Sequence, residues 1–298
     1  MQYRQLGKTG ITVSELGFGS HLKKANIDDR IERRRQIQEG LDQGITLFDI
    51  YEHSYQQFAP MSDALSQVRD QVVISLVTVW RGADEVMEEV EYALKVFRRD
   101  TIDLYRLVFG GDWEDSEKRL QALVRAREQG KIRAVGAVVH YPEHLRQGLE
   151  RYPEQVEFIM APASFCAPLL IREDRDLAPL VRKHQTGIIA MKPMAAADQD
   201  GGYVFKLSPP APWVAGCAGK GLCLGKLAVK YVLQSDVVSC VLPAMNSVEE
   251  VRENAQASGD GPLSEGEERF LQAYREEADR VFPSLLGEDN YWVGPWKG

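Results

Sequence analysis

Long apolar runs are missing from this chain: no stretch approaches the roughly 18 residues that a membrane-spanning helix requires, so no membrane partner is expected. The opening MQYRQLGKTG carries no apolar secretory segment, which leads to the expectation of a cytoplasmic protein. An excess of basic charge is also lacking. Lys and Arg total 36 against 44 Asp and Glu, and the net charge of −8 argues against nucleic acid or an anionic surface as partner. The one basic cluster, Arg33-Arg34-Arg35, lies beside Asp28, Asp29 and Glu32 and reads as a solvated helix face. Cysteine is sparse: Cys166, Cys217, Cys223 and Cys240 form no CxxC pair and show no metal spacing, as expected of ordinary reduced thiols. No Gly-rich dinucleotide fingerprint follows the first strand, which counts against an open doubly wound sheet.

What the chain does have is a repeat of apolar strand-like runs about every thirty residues. They are Glu15–Gly19, Ile45–Asp49, Val72–Val77, Ile102–Val108, Ile132–Val138, Val156–Ala161, Gly187–Lys192 and Val237–Leu242. Between them lie segments of helical period. Val86, Val90, Ala93, Leu94 and Phe97 share one helix face, and Ile27, Ile31, Ile37 and Leu41 fall within one arc. Strands that are apolar nearly throughout, alternating with helices, imply a parallel sheet covered on its outer face. Eight such units in 298 residues predict an α/β fold, a closed (β/α)8 TIM barrel, as a single domain over residues 1–298. Tyr3–Val13, with Lys8-Thr9-Gly10 at its turn, is expected to be an N-terminal β-hairpin plugging the barrel bottom. Gly201–Gly221 is expected to be a long loop, and Ser264–Val281 a C-terminal helix ahead of the tail Tyr291–Trp296.

Several motifs together are specific: YRQLGKTG, GITLFD, TIDLYRLV, GKIRAVG, MKP and VLPAMNSVEEVRENAQ. They resemble the aldo-keto reductase superfamily over nearly the whole chain. The MKP motif looks nearest to the branch that elsewhere carries an iron–sulfur module. The Cys-rich segment of that module is absent here, so no cluster is implied. The resemblance implies carbonyl reduction with a nicotinamide cofactor by an Asp, Tyr, Lys and His tetrad. Carried over position by position, the aspartate is Asp49. The tyrosine position reads Ser54, with Tyr55 one step beyond, and the lysine and histidine positions read Val77 and Val108. Valine can neither tune a phenol nor hold a carbonyl, and Asp49 is expected to have lost its counter-charge. The positions that would hold the nicotinamide amide read Val138, Val139 and Met160. At the adenine end, Glu253 and Asn254 match, with Asn246 and Ser247 ahead of them. Ala244 and Glu250 stand where basic residues would grip a 2′-phosphate, so NADH is expected over NADPH if a dinucleotide binds.

Strand ends project their following residues over a barrel mouth. His21, Asp49, Tyr51, Glu52, His53, Tyr55, His140, Lys192 and Asn246 fall in such places, whereas His144 and His184 are expected on helix surfaces. The candidate catalytic set is Asp49, His53, Tyr55, His140 and Lys192. Histidine beside carboxylate suits acid–base or lyase-type chemistry on a small-molecule substrate. His21, Asp49, His53 and His140 would also suit a divalent metal. A non-catalytic, metabolite-binding role stays open at this stage, as does the oligomeric state.

Overall fold

The computed structural model describes residues 1–19, 30–50, 58–78, 82–110, 112–165, 177–194, 196–197, 203–204 and 221–281. Eight parallel strands follow one another round the barrel. They are β3 (Phe18–Gly19), β4 (Leu47–Ile50), β5 (Val73–Thr78), β6 (Ile102–Val108), β7 (Ile132–Val138), β8 (Phe158–Pro162), β9 (Gly187–Met191) and β12 (Val238–Leu242). The first and last are joined through a parallel bridge between Leu16 and Val241, with Gly17 N–H donating to the Val241 carbonyl (2.9 Å) and Val241 N–H to the Glu15 carbonyl (2.8 Å). This closure makes the sheet the expected (β/α)8 barrel and leaves no free edge. The strand predicted over Glu15–Gly19 is regular only at its last two residues.

Period-2 alternation divides the apolar residues into two layers. Leu47, Val73, Val77, Leu104, Ala134, Val138, Phe158, Met160, Ile189, Met191, Cys240 and Leu242 fill the interior. Phe48, Ile74, Leu76, Tyr105, Leu107, Val135, Ile159, Ile188 and Val241 point outward. There they meet α1 (Arg30–Asp42), α2 (Phe58–Leu65), α3 (Val86–Phe97), α4 (Trp113–Glu128), α5 (Pro142–Arg151), α6 (Leu177–His184), α7 (Leu224–Leu233) and α8 (Val248–Ala255). Both faces of each strand are dry, which is why the runs read as continuous apolar segments.

The hairpin is present as β1 (Tyr3–Gln5) paired antiparallel with β2 (Thr12–Ser14). It contributes Leu6, Ile11 and Val13 to the interior cluster, so it plugs the amino-terminal end of the barrel. The plug fits closely at Gly7: a Cβ there would lie 2.1 Å from the Gly187 amide nitrogen, and its φ of +50° disfavours other residues.

Three expectations need correction. Helix α1 buries Arg33, Gln36, Ile37 and Gly40, while Ile31 is 70% exposed, so the arc drawn through Ile31 is not the packed face. Within the basic cluster only Arg34 and Arg35 are solvated. Arg33 is buried, donating to the Gly19 carbonyl (2.9 Å) and to Gln36 Oε1 (3.0 Å) with its guanidinium 4.4 Å from the Phe18 ring centroid. The predicted loop over Gly201–Gly221 holds a short strand, β11 (Tyr203–Val204), paired antiparallel with β10 (Ala196–Ala197). The C-terminal helix, α9 (Glu265–Val281), forms as expected, and the tail Tyr291–Trp296 lies outside the described residues. Among the described residues no helix is long and apolar enough to cross a membrane.

Candidate active site

Asp49 is the third residue of β4 and points into the barrel just below its carboxyl-terminal mouth. It has not lost its counter-charge. Arg106 of β6 reaches across β5, placing Nη1 2.5 Å from Asp49 Oδ1 and Nη2 3.1 Å from Oδ2. Nη1 also donates to Ser75 Oγ (2.8 Å) and to the Leu76 carbonyl (3.2 Å), both on the intervening strand. Register explains the reach: Asp49 pairs with Ser75 and Ser75 with Leu104, so Arg106 sits one inward-facing level above and slants back down. The two residues are 3% and 0% exposed, and the Arg106 Nε–H has no hydrogen-bond partner. Such a pair is tightly bound because both carboxylate oxygens meet the planar fork. The expectation that Asp49 had lost its counter-charge is thereby corrected, since each of its oxygens accepts from the Arg106 guanidinium.

Arg106 is the residue that sequence reasoning missed. The signal was present: in Leu104-Tyr-Arg-Leu-Val108 the inward parity of Leu104 and Val108 places Arg106 inside, where an arginine needs an acid. Val77 lies directly beside Arg106 in the register and belongs to the apolar interior, and Val108 packs against the same cluster. The positions that the resemblance assigns to lysine and histidine therefore form an aliphatic wall.

Across the mouth the arrangement differs. Val138 on β7 pairs with Met160 on β8, and Val139 N–H donates to the Met160 carbonyl (3.0 Å). Pro162 pairs with Met191 on β9, and Ala163 N–H donates to the Met191 carbonyl (3.0 Å). By this register His140 stands level with Pro162 and Met191, and Lys192 follows one residue beyond, two strand spacings away or about 10 Å between backbones, close enough for its charge to act on the His140 ring. His140 is 8% exposed. Burial holds its imidazole well below the usual histidine range, with the nearby Lys192 charge and then His144 adding to the effect. Lys192 is partly buried, and desolvation lowers its ammonium to about 7. Its backbone has φ +59°, a left-handed conformation that a non-glycine residue adopts at a cost of about 1–3 kcal/mol. Pro193 follows and has no N–H to continue the strand ladder. Met160 and Val138 lie beneath as an apolar floor. His140 does not cap α5: the N-cap is Tyr141, with Pro142 at the first turn.

Helix α8 carries the remaining candidates. Ser247 is its N-cap, accepting from Glu250 N–H (3.2 Å), while Glu250 Oε2 accepts from Asn246 N–H (2.7 Å) and Asn246 Nδ2 (3.3 Å). Gln36 from α1 donates to the Asn246 carbonyl (2.9 Å). Glu253 accepts from the Cys223 thiol (3.4 Å). Asn254 is buried against Gly225, where an added Cβ would stand 2.7 Å from its Oδ1.

His21, Tyr51, Glu52, His53, Ser54 and Tyr55 lie outside the described residues. His144 and His184 fall on α5 and α6 as expected, but both are half-buried where a surface position was expected; the His144 ring packs edge-on against Trp113 and Tyr141. Among the described residues no group of three or more His, Cys, Asp or Glu is placed to hold a metal ion.

The family model for the aldo/keto reductase family matches residues 15–273. The chain belongs to this family. The uncharacterized oxidoreductase YqkF of Bacillus subtilis is 23% identical, covering 93% of this chain and 97% of its own. L-galactose dehydrogenase of Arabidopsis thaliana is 26% identical over 86% and 88% of the two chains. The holo form of aldo-keto reductase AKR11C1 from Bacillus halodurans superposes with a TM-score of 0.71 at 24% identity, covering 92% of this chain and 96% of that one. An aldo-keto reductase from Klebsiella pneumoniae, solved in complex with NADPH, gives a TM-score of 0.74 at 21% identity over 98% and 99%. At these identities the solved structures establish the shared barrel.

Proposed function

We propose that this member of the aldo/keto reductase family acts on a small molecule by altered, non-redox acid–base or lyase-type chemistry, with His140 and Lys192 as the proton-handling groups. One juxtaposition carries this reading. The register sets His140 level with Met191 and Lys192 one residue beyond, above the apolar Val138 and Met160, while Val77 and Val108 form an aliphatic wall and Arg106 pairs with both oxygens of Asp49. In that setting an imidazole that stays neutral at neutral pH accepts a proton, and an amine near half-protonation gives or takes one. Tyr55 and His53 stay in the proposed set as mouth residues. Asp49 serves to position the mouth and does not itself react.

The residues fit NADPH poorly. Val139 faces the outer core, Val138 and Met160 offer no hydrogen-bonding side chain, and Glu250 puts a carboxylate at the first turn of α8. A second reading, a residual NADH-dependent carbonyl oxidoreductase, draws on that same Glu250, which would repel a 2′-phosphate but tolerate a ribose hydroxyl. It also draws on the oxidoreductase names of the relatives. Titrating NADPH and NADH by fluorescence, alongside turnover of a panel of small carbonyl and hydroxy compounds, separates the two. Cofactor-independent turnover abolished by His140→Ala supports acid–base chemistry. Micromolar NADPH binding with reduction of a generic aldehyde would overturn it.

A further inference from the structure

We infer that Lys192 captures a carbonyl compound covalently, as an imine on its side-chain nitrogen, with His140 relaying the proton between nitrogen and departing oxygen. This rests on the reading of His140 and Lys192 as the working pair and adds the class of substrate, a small aldehyde or ketone. The geometry is that of the mouth. Lys192 follows β9 in a left-handed conformation before Pro193, His140 stands two strands away at the level of Met191 with the Lys192 charge acting on its ring, and Val138 and Met160 lie one inward level below as apolar side chains. A lysine reaches this chemistry when desolvation leaves a share of it as free amine at neutral pH, and this one is so placed.

The step balances as follows. The lone pair of Nζ adds to the carbonyl carbon, and the C=O π pair becomes an oxyanion on a tetrahedral adduct. His140 takes one proton from the new ammonium nitrogen and returns it to that oxygen. A proton from solvent then turns the hydroxyl into water, the C–O bond breaks, and an iminium with its charge on nitrogen remains. The iminium draws electrons from the adjacent carbon, so a proton or a carbon fragment there leaves more readily, which is lyase-type chemistry without hydride. Hydrolysis reverses the capture and frees the amine.

Full-length protein incubated with glycolaldehyde and sodium cyanoborohydride at pH 7, then mapped by peptide mass spectrometry, tests this. The expected result is a reduced adduct on the peptide containing Lys192, formed with a half-maximal rate near pH 7. Lys192→Arg should lose the adduct while keeping its melting temperature, and His140→Gln should slow trapping by about 10²-fold. Adducts spread over exposed lysines such as Lys118, with Lys192 unmodified, would overturn the inference. If His140→Ala abolishes turnover while Lys192 stays untrapped, the imine is wrong and the acid–base reading stands. Absence of both trapping and His140-dependent turnover removes both.

Discussion

Across β4–β6 the barrel holds Asp49 and Arg106 as a bidentate pair of opposite charge, whereas across β7–β9 it holds His140 and Lys192, two bases. The first arrangement neutralises buried charge within a fixed geometry and leaves no oxygen of Asp49 free. The second removes water from two groups that carry the same sign when protonated: burial lowers both, and the Lys192 charge lowers His140 further. Asp49, Arg106 and His140 are all buried and Lys192 is partly so, yet only the first two residues neutralise one another. The proposed function rests on the second region, where a lowered amine and a left-handed backbone coincide at Lys192.

The comparison is most sharply broken at the ion pair. Arg106→Met should cost about 3–5 kcal/mol in denaturant unfolding, because it strands the Asp49 carboxylate in a dry layer. Combining it with Asp49→Leu should recover most of that loss, since an apolar pair suits the surrounding valines and leucines. A neutral Arg106→Met would mean that the carboxylate finds another partner, and the contrast between the regions would fail.

A smaller effect of opposite direction is expected at Lys192. Its folded pKa of about 7 lies below its ordinary value of 10.5, so at and below pH 7 the folded state must bury a charge that the unfolded chain leaves in water. Lys192→Met should therefore stabilise the fold by about 2–4 kcal/mol at pH 6–7. The gain should shrink steadily as pH rises from about 7 to 10.5 and vanish above that, where the lysine is neutral in both states. For His140, lowered below 6.5, stability should fall as pH drops beneath 6.5, and His140→Gln should flatten that slope. Parallel melting curves from pH 5 to 10 check both signs.

The barrel was legible because each strand is dry on both faces and the interior and exterior sets alternate strictly, as in Leu47 and Asp49 against Phe48 and Ile50. The site was legible in part. His140 and Lys192 follow strand ends, and strand ends of a closed barrel converge, so their meeting was readable from spacing alone. The Asp49–Arg106 pair was not read, because matching TIDLYRLV to the position of a missing histidine drew attention to Val108 and away from the inward arginine two residues earlier. Arg33 was misread for a related reason: three consecutive arginines on a helix point in three directions, and one of them must face the core. The Ile31 arc failed because only the tertiary partner, here the Phe18 ring with Arg33 over it, decides which stripe of a weakly amphipathic helix is buried.

The smallest expected change lies at α8. If a dinucleotide binds, Glu250→Arg should shift preference toward NADPH over NADH by about tenfold, roughly 1.4 kcal/mol, by removing the repulsive carboxylate. Isothermal titration with each cofactor measures it, and an unchanged ratio would place the 2′-phosphate elsewhere.

The most direct measurement is the titration of Lys192 itself by competitive amine labelling across pH, read out on its peptide by mass spectrometry. A Lys192 amine that titrates near 7, and that moves up toward 10.5 when His140→Glu supplies a carboxylate close by, is the result expected of a desolvated amine whose charge is felt at residue 140. A Lys192 that titrates near 10.5 in the wild-type protein, indifferent to residue 140, would contradict the account.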